Sequence, residues 1–214
     1  MKYNNAVAKK TFVIIKKIYN GGDLNKSALA AFRESPSVIS HHAQQIWPIL
    51  LKELSKDMLS TNGEPSAAER AIFTAIKLYA IYQKGEDRFV CSDYSESKEK
   101  AESKEEKKQR YGIPLFYAFA NLKADEQIEE ALDRRVQSLL SSPVITSVVN
   151  SMTQLVRILK SKDSTQVIDF PRIAQDLYDF QQSYYRANEV HLYWAEQYFS
   201  KNNVVKETEE KNND

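Results

Sequence analysis

Apolar residues recur along this chain at helical spacing, and almost nowhere do they alternate as in a half-buried strand. Val7, Phe12, Ile15 and Ile18 share one face of a helix over residues 5–19, with lysines on the other, and "NGGD" at 20–23 stops it. "NKSALAAFRES" predicts a short second helix ending before Pro36. "VISHHAQQIWPILLKELSKDM" has a helical pattern in which Pro48 forces a start or a kink. "SAAERAIFTAIKLYAIYQK" predicts a helix capped by Ser66 with Glu69 three residues on, burying Ala71, Ile72, Ala75, Leu78, Tyr79 and Tyr82. Periodicity then lapses: from Ser92 to Arg110 only Tyr94 is bulky and apolar, too little to offset an ordering cost of about 1–2 kcal/mol per residue. It returns in "IPLFYAFANL", "ADEQIEEALDRRVQSLLSS", "VITSVVNSMTQLVRILKSK" and "DFPRIAQDLYDFQQSYYRANEVHLYWAEQYFSK", with Pro143 between the second and third of these. The pattern predicts an all-α protein of two small helical bundles, 1–85 and 112–201, joined by a charged linker at 86–111 and followed by a disordered tail at 202–214.

Composition sharpens this picture in two places. Only 5 of 214 residues are glycine, which suits long helices. The net charge of +1 hides an asymmetry: residues 1–85 carry twelve Lys and Arg against six Asp and Glu, whereas residues 112–201 carry nine against eleven. The single cysteine, Cys91, excludes a disulfide framework and a cysteine-rich metal site. The apolar run "TFVIIKKIY" is too short for a membrane span or a signal peptide, so a cytoplasmic setting is expected.

The adjacent pair Arg134–Arg135 stands out. At about 100° per residue, Ile128, Leu132, Val136, Leu139 and Leu140 form one face, Arg134 points away from it and Arg135 lies on its flank. Glu130, one turn earlier, supplies an ordinary helix-surface partner for Arg134. The next helix places Val144, Val148, Met152, Leu155 and Leu159 on its apolar stripe and Thr146, Asn150, Thr153 and Arg157 opposite. No charged side chain occurs from Ser141 to Val156. An uncharged polar face implies a covering surface: another part of this chain, a protein partner or a polyanion backbone.

The ordered series "AERAIFTAIKLYAIYQ", a variable charged segment, "IPLFYAFAN", "DRRVQSLLSS", "TQLVRILKS", "IDFPRIAQDLYDF" and "VHLYWAEQYF" resembles the CasB family, the small subunit of the type I-E CRISPR surveillance complex, Cascade. The likeness runs from about Asn25 to Phe199. It implies a non-catalytic protein that pairs head-to-tail with a second copy along the Cascade backbone subunits, near the large subunit. Basic residues would contact guide RNA and target DNA to hold the R-loop open. Under that resemblance Arg134 and Arg135 fall on the family's double arginine and Arg157 on a basic position of the following helix. Arg33 falls near an early basic residue with Lys26 beside it, and Arg186 near a late one. The chain departs from the pattern at Ser141, Ser142 and Val156, where arginine is common. That shifts weight toward Lys9, Lys10, Lys16, Lys17 and Lys26.

Catalytic chemistry finds no footing. His41 and His42 diverge on a helix and lack a ligand at i+3 or i+4, His191 sits among aromatics as a packed, hydrogen-bonded residue, and Asp176 and Asp179 have no accompanying carboxylates or phosphate loop. No metal, cofactor or catalytic residue is expected. The alternative to the nucleic-acid reading is an all-helical adaptor that bridges proteins through residues 144–156.

Overall fold

The computed structural model describes residues 5–94 and 112–200. The segment 95–111 and the tail 202–214 lie outside the described residues. Among the described residues the regular elements are helices: α1 (Ala6–Tyr19), α2 (Lys26–Glu34), α3 (Trp47–Leu51), α4 (Ala67–Tyr82), α5 (Leu115–Asn121), α6 (Glu126–Leu140), α7 (Ile145–Lys162), α8 (Phe170–Phe180) and α9 (Tyr184–Phe199), with short 3-10 turns between several of them. The long pattern around Pro48 resolves into a 3-10 turn at His41–Ile46 and a five-residue helix with the proline in its first turn, the place where its missing N–H costs nothing. The Ser66–Glu69 capping box forms as expected: the Ser66 hydroxyl accepts from the Glu69 N–H at 3.0 Å, and Glu69 accepts from the Ser66 N–H at 2.7 Å.

Helix α4 is the axis of the molecule. It is buried nearly all round, and α1, α2, α7 and α8 pack against it. Helix α8 comes from the second expected bundle, yet it lies on α1 and α4 of the first, through Phe170 against Tyr79 and Tyr82. One continuous set of buried side chains therefore spans residues 7–198. Trp194 closes the far end: it is fully buried, stacks on Phe116 at 4.9 Å, and donates from Nε1 to Asp176 at 2.9 Å.

Two expectations are corrected here. The charged segment was predicted to leave the fold at residue 86, but Phe89, Val90, Cys91 and Ser92 pack into it, the last three buried. Residues 167–169 run between them and the chain on its return: Ile168 N–H donates to Val90 O (2.9 Å), Ser92 N–H to Ile168 O (3.0 Å), and Ile113 N–H to Val167 O (2.8 Å). The short apolar triplet Phe89–Cys91 supplies the burial that a longer helical period could not reveal. Val144, assigned to the apolar stripe of α7, is 53% exposed, and Val156 is buried instead. The helix starts only at Ile145, whereas position 156 lies one turn beyond Met152 on the packed face. That explains why valine, and not arginine, occupies it.

Candidate nucleic-acid interface

Helices α6 and α7 form an antiparallel hairpin turned at Pro143, each burying one stripe: Leu132, Val136 and Leu139 on α6, and Val148, Met152, Leu155, Val156 and Leu159 on α7. Burial of those stripes sets the rotation of both helices. It leaves Arg134 and Arg135 on the outer side of α6, and Arg157 with the uncharged residues on the outer side of α7.

Between them lies an open cleft of about 480 Å³. Arg134, Arg135 and Arg157 line it, and Lys77 reaches it from α4. The rest of its lining is Ser, Thr, Asn and Gln; among the described residues no carboxylate lines it. Four cations thus face one concave, acid-free surface.

The local electrostatics favour an anion. Lys77 is half-buried and its amine is held below its ordinary range, first by burial and then by the charge of Arg157. It is anchored by donation to Ser35 O at 2.7 Å. Arg134 has one acidic neighbour, Glu130 at 3.7 Å, with 70% and 87% of the two side chains exposed. Such an i,i+4 pair is worth about 0.3–0.5 kcal/mol and leaves the guanidinium available.

The remaining sequence-expected residues lie elsewhere or are engaged. Arg33 is half-buried and donates to Ala80 O at 3.2 Å, so it stitches α2 to α4 and does not line the cleft. Lys26 opens α2 and is exposed, also away from the lining. Arg186 pairs with Glu189 at 2.8 Å and lines a separate depression shared with Asp176 and Asp179, a poor surface for a polyanion. Among the N-terminal lysines, Lys17 is paired with Glu53 at 2.6 Å, and Lys16 sits over the Phe12 ring. Lys77 was missed. Its signal was present, as the single charge in the apolar run "AIFTAIKLYAIY".

Among the described residues no group of three or more His, Cys, Asp or Glu is placed to hold a metal ion. Cys91 is fully buried, which pushes its thiol well above the usual range. His191 packs between Phe180 and Trp194, but its Nε2 has no hydrogen-bond partner, contrary to the hydrogen-bonded role expected; burial lowers its pKa. Asp176 accepts from Arg172 Nε at 2.7 Å and from Trp194, and so is a structural anchor for α8 and α9. No described helix is long and apolar enough to cross a membrane.

Residues 28–199 match the family described as CRISPR-associated protein Cse2. Among solved structures, the crystal structure of CasB from Thermobifida fusca superposes with a TM-score of 0.62 at 18% identity, covering 91% of this chain and 98% of that one. At that identity the likeness is one of fold. No curated protein sequence matches the chain.

Proposed function

The chain belongs to the family of the CRISPR-associated protein Cse2, and from that premise we propose that it is the small, non-catalytic subunit of a type I-E Cascade complex. In this role the cleft between α6, α7 and Lys77 grips phosphates of the guide–target region and the displaced strand, so that the R-loop stays open. Backbone and large subunits, and a second copy of this chain, are its partners, and the cytoplasm is its setting.

The observation that carries this reading is the convergence of Lys77, Arg134, Arg135 and Arg157, from three helices, on one surface free of carboxylates. Guanidinium forks and an ammonium grip phosphate without reading base edges. That fits a complex in which guide pairing supplies sequence specificity and the protein holds backbone and shape. The neutral Asn150 and Gln154 add hydrogen bonds without adding charge that would need neutralising.

A protein contact is supported by a different face. Tyr185, Leu192 and Phe199 follow one another at i, i+7 and i+14 on α9 and are 70%, 62% and 42% exposed. A pure adaptor would use such a surface and ignore nucleic acid; a Cascade subunit uses both faces.

The discriminating measurement is R-loop lifetime in a complex assembled with the double variant Arg135→Glu, Arg157→Glu. Two charge-assisted contacts, each worth about 1.5–3 kcal/mol, are lost, so the lifetime should shorten by at least about a hundredfold while assembly is preserved. An assembled variant complex with an unchanged lifetime would sink the nucleic-acid role.

A further inference from the structure

The basic cleft does not end at Asn150. That side chain also lines a second, smaller groove of about 220 Å³, so the two hollows adjoin at Asn150 on α7. The second groove differs in kind. Val38 and Ile39 from the loop after α2, Phe73 from α4, Val149 from α7 and Leu177 from α8 make its walls apolar. Ile39, on this groove, is 62% exposed.

Polar side chains line the hollow as well, among them Ser37, Thr74 and the carboxylate of Glu64, and two further features give it a direction. Arg70 lies on its rim with its guanidinium held in place: Nε donates to Gln181 Oε1 at 3.0 Å. Gln181 is itself fixed, because its amide donates to Ala67 O (3.1 Å) and Leu177 O (2.8 Å). An exposed arginine is thus pre-set as a plane beside an apolar slot. The first turn of α7, with Ile145 and Thr146 on the groove, has no side-chain cap and no acidic residue. The N-terminal N–H groups of the helix add positive potential at this end of α7.

We propose that this groove receives one unstacked base of the strand whose phosphates occupy the cleft, with Arg70 against its face and Asn150 at its edge. The inference rests on the reading of the cleft as a phosphate site. Continuity through Asn150 selects the occupant: a chain anchored by phosphates on four cations carries its bases within reach of the adjoining slot. Size agrees, since 220 Å³ falls below the roughly 300–1,000 Å³ of a drug-sized ligand site and suits a single ring system. Chemistry agrees as well, because a base has an apolar face, which arginine planes stack upon, and a polar rim.

The test compares oligo(dT) with an oligomer of the same length built entirely of abasic residues, each titrated into the full chain at the same salt. The base-bearing strand should bind about tenfold tighter. Val149→Trp, which fills the slot, and Arg70→Ala, which leaves the buried core untouched, should each erase that difference and leave binding of the abasic strand unaltered. Arg135→Glu should weaken both strands equally. Equal affinity of the two strands for the unaltered chain overturns the base slot and leaves the phosphate cleft standing. If neither strand binds, the cleft reading falls and the slot with it. If Val149→Trp keeps the oligo(dT) preference but releases the partner subunits, the groove is a protein dock and the inference is overturned.

Discussion

Replacing Lys77, Arg134, Arg135 and Arg157 together by alanine empties the cleft of charge, and the size of the effect follows from the structure. Four cations line the surface, so at most four phosphates are neutralised there. Each contributes about 0.7 to the salt slope for a single strand and about 0.9 for a duplex, giving a total of about 2.8–3.6. Between 50 and 200 mM salt the unaltered cleft should therefore lose roughly 50–150-fold in affinity, whereas the quadruple variant should lose almost nothing through this site. Each single substitution should lower the slope by about 0.7–0.9. Arg134 contributes least if Glu130 competes for it, an effect of a few tenths of a kcal/mol. Folding should tolerate the change: the three arginines are exposed, and Lys77 gives up one bond to Ser35 O, worth about 1 kcal/mol. The assay is fluorescence anisotropy of a labelled oligonucleotide over a salt series, with thermal melting as the control for folding. Arg186→Ala should leave the slope alone, because that side chain lies in an acidic neighbourhood. A quadruple variant that melts normally yet keeps the full slope would refute the cleft as the phosphate site, as would a comparable drop with Arg186→Ala.

The remaining predictions concern stability. Burial holds the Asp169 carboxyl up to about 6, against the opposing pull of the Arg172 N–H and the Tyr94 hydroxyl, and burial likewise raises Asp176 to about 6. Both groups bind protons more tightly folded than unfolded, where about 3.9 applies, so their contribution is full below about pH 4 and is lost as pH rises through 6. Asp169→Asn keeps the cap on α8 and removes one such group; urea midpoints between pH 4.5 and 6.5 should show its stability falling less steeply with pH, by up to about 1.4 kcal/mol per unit, and identical slopes would contradict the linkage. Gly112 has φ +62°, and a Cβ there would press on the Ser92 hydroxyl and stand 2.9 Å from Val167 O. Gly112→Ala should cost about 1–3 kcal/mol by chemical denaturation, more than Gly63→Ala, where φ is +85° but the space is open.

Most of the fold could be read along the chain, and the site only half. Helix α4, its capping box and its buried stripe follow from residues 66–82 alone, because capping and 3.6-residue periodicity are local. The same holds for the outward aim of Arg134, set by the apolar stripe of its own helix. Residues 89–92 escaped this logic: a buried segment held by backbone pairing to 167–169 has no period to detect. Arg33 and Arg186 look like free cations in sequence, since the groups that engage them, Ala80 O and the carboxylates around α9, are placed by packing. Periodicity orients a side chain about its own helix axis, and so the chain by itself determined which residues are inside, which face out, and that the protein is helical. Which axes become neighbours depends on how apolar faces far apart in sequence find their lowest joint exposure to water. Only that packing decided that Lys77 should meet Arg134, Arg135 and Arg157 across one cleft.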